Sequence, residues 1–258
     1  MSTIIYDNVS VAYGTKEITA LKDFNLRINS GEIISFIGSS GCGKSTALNV
    51  AAGLLNPTNG ELLVDDVITR SPGIDRGVVF QNYSLFPWMS NLDNVLFALR
   101  QRYDLPKKTL QAKAADLLDR VGITGAFQKV YPSKISGGMQ QRVAIARMFA
   151  LDSPIFLMDE PFAAVDEITR KHLQSLLLDL WEKEENRKTI VMVTHNIEEA
   201  IYLSDRVVVL HEGEINTVVT IPFERHRNRR EIENKSEYLE IKNHLLQTIE
   251  EKIVGGER

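Results

Sequence analysis

Residues 38–46 read Gly-Ser-Ser-Gly-Cys-Gly-Lys-Ser-Thr. Gly38 and Gly43 bracket four residues and Lys44-Ser45 follows, the spacing of a phosphate-binding loop. Glycines let the backbone curl so that successive N–H groups face one concavity, which suits anionic oxygens. A helix opening near Lys44 adds the positive end of its dipole. Lys44 then supplies a mobile cation for the outer phosphates, and the Ser45 hydroxyl is placed to ligate Mg²⁺. A second constellation is Met158-Asp159-Glu160-Pro161, two adjacent carboxylates after an apolar run. Consecutive strand side chains point opposite ways, so Asp159 is expected to face a metal and Glu160 an attacking water. An exposed acidic turn would have the same composition. The third is Ile135-Ser136-Gly137-Gly138-Met139-Gln140-Gln141-Arg142, which reads either as a second anion-binding helix start or as a serine N-cap with flexible glycines.

These groups need elements to hold them. Residues 32–37 form a short apolar strand into the loop, and a helix follows it. Residues 3–11 and 20–28 alternate apolar with polar, with Phe24, Leu26 and Ile28 on one face. A single strand is expected over 61–67 and another over 77–80, ending at Gln81. Residues 91–150 carry helical patterns and almost no strand signal: 91–103, 109–121 closed by Gly122, and 137 onward. The strand and helix pattern then resumes, with strands over 154–158 and 189–194, helices over 167–184 and 196–203, and a hairpin around Glu212-Gly213. A terminal helix spans 236–253. The expected organisation is a nucleotide-binding core with a β subdomain (1–82 and 151–220), a helical subdomain (83–150) and a C-terminal extension (221–258).

The 258 residues are 43% hydrophobic and 25% charged, ordinary globular values, and the net charge of −4 argues against a nucleic-acid partner. The only cysteine, Cys42, excludes an internal disulfide and points to a reduced, cytosolic setting. No signal peptide and no apolar run of transmembrane length is read, so at a membrane another chain would have to span it.

With these motifs in order, the chain resembles the ATP-binding-cassette (ABC) ATPases over essentially its whole length. The resemblance implies an α/β fold: a P-loop NTPase core with a RecA-like mixed sheet flanked by helices, an antiparallel β subdomain and an inserted all-helical signature subdomain. It implies ATP hydrolysis by a homodimer holding two Mg·ATP. Tyr13 would stack on adenine, and residues Gly38, Ser39, Ser40, Gly41, Cys42, Gly43, Lys44, Ser45 and Thr46 would bind ATP. Ser45, Gln81 and Asp159 would serve Mg²⁺. Glu160, His195, Gln81 and Lys44 would be catalytic. Ser136, Gly137, Gly138 and Met139 would touch the γ-phosphate held by the opposite copy, and Asp166 would lie at the dimer seam. Met139 departs from the family's usual glutamine, which removes a side-chain amide. The motifs of 136–142 and 159–170, with Leu85-Phe86-Pro87-Trp88, look like the ATPases of nitrate, sulfonate, taurine and bicarbonate importers. That implies an integral-membrane permease, an extracytoplasmic solute-binding protein and a peripheral position on the cytoplasmic face of the membrane. The alternative is a soluble cassette of DNA repair or translation, disfavoured by the compact acidic chain.

Two stretches stay open at this point. Phe86 and Trp88 would either receive a helix of the membrane partner or pack the helical block against the core. Residues 225–230, Arg-His-Arg-Asn-Arg-Arg, read as a solvated arm, with nucleic acid or anionic lipid as the less favoured readings.

Overall fold

The apolar and polar alternation of the N-terminal strands builds an antiparallel sheet. In β1 (Ile4–Tyr13) and β2 (Ile18–Ile28), residues Ile4, Tyr6, Val9, Val11, Leu21, Phe24, Leu26 and Ile28 are buried. Two further strands, β4 (Asn59–Val64) and β5 (Val67–Ile68), complete the order β2-β1-β4-β5. The single strand expected over 61–67 is therefore a hairpin. Asp65 and Asp66 take left-handed φ values of 52° and 63° and reverse the chain. Aspartate tolerates that region because its short polar side chain bonds locally. The Asp65 carboxylate is held instead by the distant start of the chain, accepting from the Thr3 amide at 2.8 Å and the Ser2 hydroxyl at 2.7 Å.

This computed structural model describes residues 2–14, 18–82, 84–225 and 227–255. The chain divides into two compact units, 1–73 with 184–258, and 74–183. In the first, β3 (Ile33–Ile37) is buried at every residue and lies between two parallel neighbours, β8 (Thr189–Val193) and β9 (Arg206–His211). A continuous apolar run is what a strand covered on both faces requires. The strand β10 (Glu214–Thr220) pairs antiparallel with β9. The helices of this unit are α1 (Lys44–Ala51), α6 (Ile197–Leu203), the short α7 (Arg229–Glu233), which the sequence reading did not anticipate, and α8 (Ser236–Gly255). The Tyr6 phenol, buried so deeply that its pKa is pushed up, donates to the Ala47 carbonyl at 2.9 Å and ties β1 to α1.

Among its described residues the second unit carries two parallel strands, β6 (Arg76–Val79) and β7 (Ile155–Asp159), with two short 3₁₀ turns and four α-helices. These are α2 (Asn91–Arg102), α3 (Lys107–Arg120), α4 (Gly137–Leu151) and α5 (Glu167–Glu182). Local sequence sets several of their ends. Ser90 caps α2 by accepting from the Asp93 amide at 3.1 Å. Gly122, at φ 76°, ends α3 in the left-handed conformation that glycine adopts without steric cost. Val95, Leu99, Ala114, Leu118, Val143 and Ala146 recur at helical spacing and are buried together in this unit. Among the described residues no helix is long and apolar enough to cross a membrane.

Candidate functional site

The phosphate loop is shaped by three glycines with different duties. Gly38 has φ 147°, and a Cβ there would fall 2.3 Å from the Leu210 carbonyl oxygen and 2.7 Å from Cys42 Sγ. Gly43 has φ 106°, and its Cβ would fall 2.5 Å from the Ala20 carbonyl oxygen. These two let the loop pass close to neighbouring backbone. Gly41, at φ 78°, would meet nothing within 4 Å, so its face of the loop is open. Lys44 is the first residue of α1 and is buried. Its ammonium donates to the carbonyl oxygens of Gly38 at 2.9 Å and Ser39 at 2.7 Å, and lies 3.6 Å from Cys42 Sγ. That holds the cation across the mouth of the loop, where anionic oxygens would be met. Ser40 and Ser45 are exposed, while Ser39 and Thr46 are half-buried.

The parallel register brings His195 to the same end of the sheet. Phe36 pairs with Val193, and the Thr194 amide donates to the Phe36 carbonyl at 3.1 Å. The phosphate loop and exposed His195 thus follow adjacent strands at their carboxyl ends, where ligands of open α/β sheets gather. Asn196 then caps α6, accepting from the Glu199 amide at 3.0 Å. Tyr13 ends β1 and is 44% exposed.

In the second unit the same logic places Gln81 and the carboxylates. Val79 pairs with Met158, so the exposed Gln81 follows one strand end and Asp159 closes its neighbour. Glu160 departs from the expected alternation. The strand ends at Asp159, and Glu160 sits at φ 45° in the left-handed region, immediately before Pro161. A turn, not the pleat of a strand, therefore aims its carboxylate. Left-handed backbone at a non-glycine residue costs on the order of 1–3 kcal/mol and persists only where the surroundings impose it, commonly at functional sites.

The signature stretch opens α4. Ser136 is the N-cap, its hydroxyl accepting from the Met139 amide at 3.3 Å. A Cβ on Gly138 would lie 2.7 Å from Thr169 Cγ2, so glycine allows α4 and the start of α5 to approach closely. Asp166 caps α5 by accepting from the Thr169 amide at 3.0 Å, and that bond lowers its pKa. Gly137 and Met139 are half-buried in the first turn. The signature and Asp166 are thus joined through Thr169.

Phe86 packs edge-on against Phe97, with centroids 5.0 Å apart, while Trp88 remains 70% exposed. Trp88 packs beside the Phe86 ring with centroids 5.6 Å apart, and Phe86 lines a groove of about 390 Å³, largely apolar, with Val79, Phe97 and Met148. Arg147 stands in its wall, donating to the Ser84 carbonyl at 2.7 Å, and its burial lowers its pKa.

The sequence profile of the ABC transporter family matches residues 21–163. The chain belongs to the ABC transporter ATPase family. It is 45% identical over 244 residues to an uncharacterized ABC transporter ATP-binding protein of Methanocaldococcus jannaschii, covering 94% of this chain and 88% of that one. It is 43% identical to the bicarbonate transport ATP-binding protein CmpD of Synechocystis, covering 93% and 86%. It is also 43% identical to the nitrate import ATP-binding protein NrtD of Synechococcus elongatus, covering 88% and 83%. Among solved structures it is similar to dimeric MJ0796, a bacterial ABC transporter cassette, with a TM-score of 0.77 and 36% identity over 86% of this chain and all of that one. A post-hydrolysis dimer of the same cassette bound to ADP and Pi matches with a TM-score of 0.76, 34% identity and the same coverage. As a member of this family the cassette is an ATPase, with the P-loop NTPase fold expected of it.

Two supports of the cassette's phosphate loop were not read from its sequence. The Gly213 amide, at the β9–β10 turn, donates to the Cys42 carbonyl at 3.1 Å, and the Gly213 carbonyl accepts from Lys22 at 2.9 Å. Glu212-Gly213 reads as an ordinary hairpin tip, and its two positive φ values, 45° and 84°, are those of a common two-residue turn, so only the bonds to Cys42 and Lys22 reveal its added duty. The second correction concerns the arginine-rich stretch. It is not a solvated arm: from 221 to 230 the described residues alternate inward and outward, with Arg227 buried and Arg225 and Arg229 half-buried. His226 lies outside the described residues.

Proposed function

We propose that this cassette is the ATP-hydrolysing subunit of an importer for a small solute of the nitrate, bicarbonate, sulfonate or taurine type, working as a homodimer on a separate membrane permease. The observation that carries the reading is the presence in one chain of a built phosphate loop and a second glycine-opened helix start at Ser136–Gly138. One nucleotide needs only one cradle; a head-to-tail pair of copies uses both kinds. The names of the relatives support the transport role and the solute class. They also disfavour a cassette of DNA repair or translation.

In this reading Tyr13 stacks on adenine, which is typically worth ~1–3 kcal/mol per base. The loop amides and Lys44 hold the phosphates. Ser136, Gly137 and Gly138 of the second copy cover the γ-phosphate, and His195 contacts it from its own chain. Glu160 takes a proton from water as its oxygen attacks the γ-phosphorus, and the bond to the β–γ bridging oxygen breaks to release ADP. Ser45, Gln81 and Asp159 offer the hard oxygen donors that Mg²⁺ prefers, and the ion would neutralise charge on the transferring phosphoryl group. Asp166 lies at the seam between copies.

The decisive measurement is ATP hydrolysis per chain as a function of chain concentration. We expect the specific rate to rise steeply through the dimerisation range, whereas the dilute monomer still binds nucleotide and binds it less tightly than the dimer, as linkage requires. A full rate independent of concentration would rule out the shared site.

The groove lined by Phe86, with the exposed Trp88 packed against that ring, is read as the seat of a permease helix. A buried aromatic anchor is typically worth about 2 kcal/mol or more at an interface. In the reconstituted transporter, Trp88→Ala should lower solute uptake about tenfold or more, while hydrolysis by the isolated chain stays within about twofold. Equal loss of both activities would return Trp88 to a packing role. Its working place would be the cytoplasmic face of the membrane, beside the permease and an extracytoplasmic solute-binding protein.

A further inference from the structure

We propose that the C-terminal arm, residues 221–242, is a positioning device for His195, acting through α6; the inference rests on the reading that His195 contacts the γ-phosphate. The helix α6 has seven residues and follows His195 directly, with Asn196 as its cap. Helices this short do not hold themselves together in water. The last carbonyls of a helix have no partner within it, and they attract cations. Here the arm fills those places. The buried Arg227 guanidinium donates to the carbonyl oxygens of Ile201 at 3.0 Å, Tyr202 at 2.9 Å and Ser204 at 2.8 Å, and anchors itself on Phe223 at 3.0 and 3.1 Å. Arg225 donates to the Leu203 carbonyl at 2.9 Å and pairs with Asp205. The Arg229 guanidinium lies 3.8 Å from the centroid of the Tyr202 ring.

Arg225, Arg227 and Arg229, the last opening α7, all reach the C-terminal end of α6. At the other end of the helix, Lys242 of α8 pairs with Glu198, three residues beyond His195. The helix is therefore gripped at both ends by one continuous arm. It is also keyed to the phosphate-loop strand. Asp205 accepts from the Ile33 amide at 2.8 Å, and the hydroxyls of Ser35 and Ser204 share a buried hydrogen bond of 2.5 Å. The guanidinium of Arg225 and the amide of Ile33 meet on the same Asp205 carboxylate oxygen, Oδ2. His195 thus sits between the end of β8, whose Thr194 is bonded to the phosphate-loop strand, and a helix that the arm holds in place.

The test is ATP turnover at saturation, with nucleotide affinity measured separately, for the full chain carrying His195→Ala, Arg227→Ala and both. A displacement of about 1 Å at a reacting group costs on the order of 10²-fold in rate. We expect Arg227→Ala to lower kcat about ten- to a hundredfold and leave nucleotide affinity unchanged. In the His195→Ala background it should cost nothing further, because residues acting as a unit are not additive. Multiplicative losses in the double variant would overturn the proposal, since the arm would then act independently of His195. A normal kcat in His195→Ala would instead remove the role of His195 itself. If Arg227→Ala does not fold, Lys242→Glu serves, its pair being partly exposed. A loss of about threefold in kcat, recovered by adding Glu198→Lys and absent in the His195→Ala background, supports the arm. No change in kcat overturns it.

Discussion

Glu160→Gln should bind ATP with near-normal affinity, accumulate a closed dimer and hydrolyse ATP about 10²–10³-fold more slowly, the usual cost of removing one group preorganised for the transition state. The amide keeps the size and the position of the carboxylate. It loses the basicity needed to take a proton from water, so the defect falls on kcat and not on binding. The backbone of Glu160 adds a second reason to choose glutamine. Its φ of 45° means that the side chain is aimed by a turn that the chain must be forced to adopt. A smaller residue would test that turn as well as the carboxylate. Size-exclusion chromatography with ATP, alongside single-turnover hydrolysis, checks both halves of the expectation. A variant with near-normal turnover would remove Glu160 from its role as base.

A second large effect is expected in the phosphate loop, and two glycines separate its causes. Gly43→Ala places a Cβ 2.5 Å from the Ala20 carbonyl oxygen, at φ 106°, where an L-residue is strained. The contact is with backbone, which cannot swing aside as a side-chain tip can. The loop or β2 must shift, and ATP binding should fall below detection together with a drop in the melting temperature. Gly41→Ala meets no atom within 4 Å, and φ 78° is accessible to alanine at roughly 1–2 kcal/mol. Its Cβ would nonetheless enter the open face where phosphate oxygens are expected. It should fold almost normally and lose nucleotide affinity. Thermal unfolding with and without ATP reads both: the ligand-induced shift should vanish in each variant, but without nucleotide Gly43→Ala should unfold well below Gly41→Ala, which loses only a few degrees. Equal apo stability would mean that Gly43 has no tighter backbone constraint than Gly41.

The parts of the site that rest on local chain chemistry were legible in the sequence. A phosphate loop is written in consecutive residues, because its amides must converge within one turn. The strands leading to it are apolar because they are covered on both faces. Helix starts at Ser136, Asp166 and Asn196 follow from side-chain acceptors next to orphan amides. What escaped depends on backbone conformation or on partners distant in the chain. Asp65 and Asp66 fall inside a run read as one short strand, and nothing in their identity alone declares two left-handed residues in a row. Glu160 reads as the next residue of a strand that has in fact ended. The arginines at 225, 227 and 229 look like solvated charge until the exposed carbonyls of α6 are known, and those carbonyls exist only once the helix has stopped.

The β9–β10 turn has a consequence for how this protein is handled and how its sequence can vary. Hairpin tips are ordinarily the places where chains tolerate extra residues, since a longer loop costs little entropy. This tip is different, because the Gly213 amide and carbonyl are spoken for by Cys42 and Lys22, and a Cβ there would press on Ala20 at 2.9 Å. An epitope or reporter inserted at 212–213 would detach a strut from the phosphate loop while leaving both flanking strands paired. Such a fusion would express as a folded protein and register as a nucleotide-binding mutant, although the insertion lies more than 160 residues along the chain from the loop that it disables.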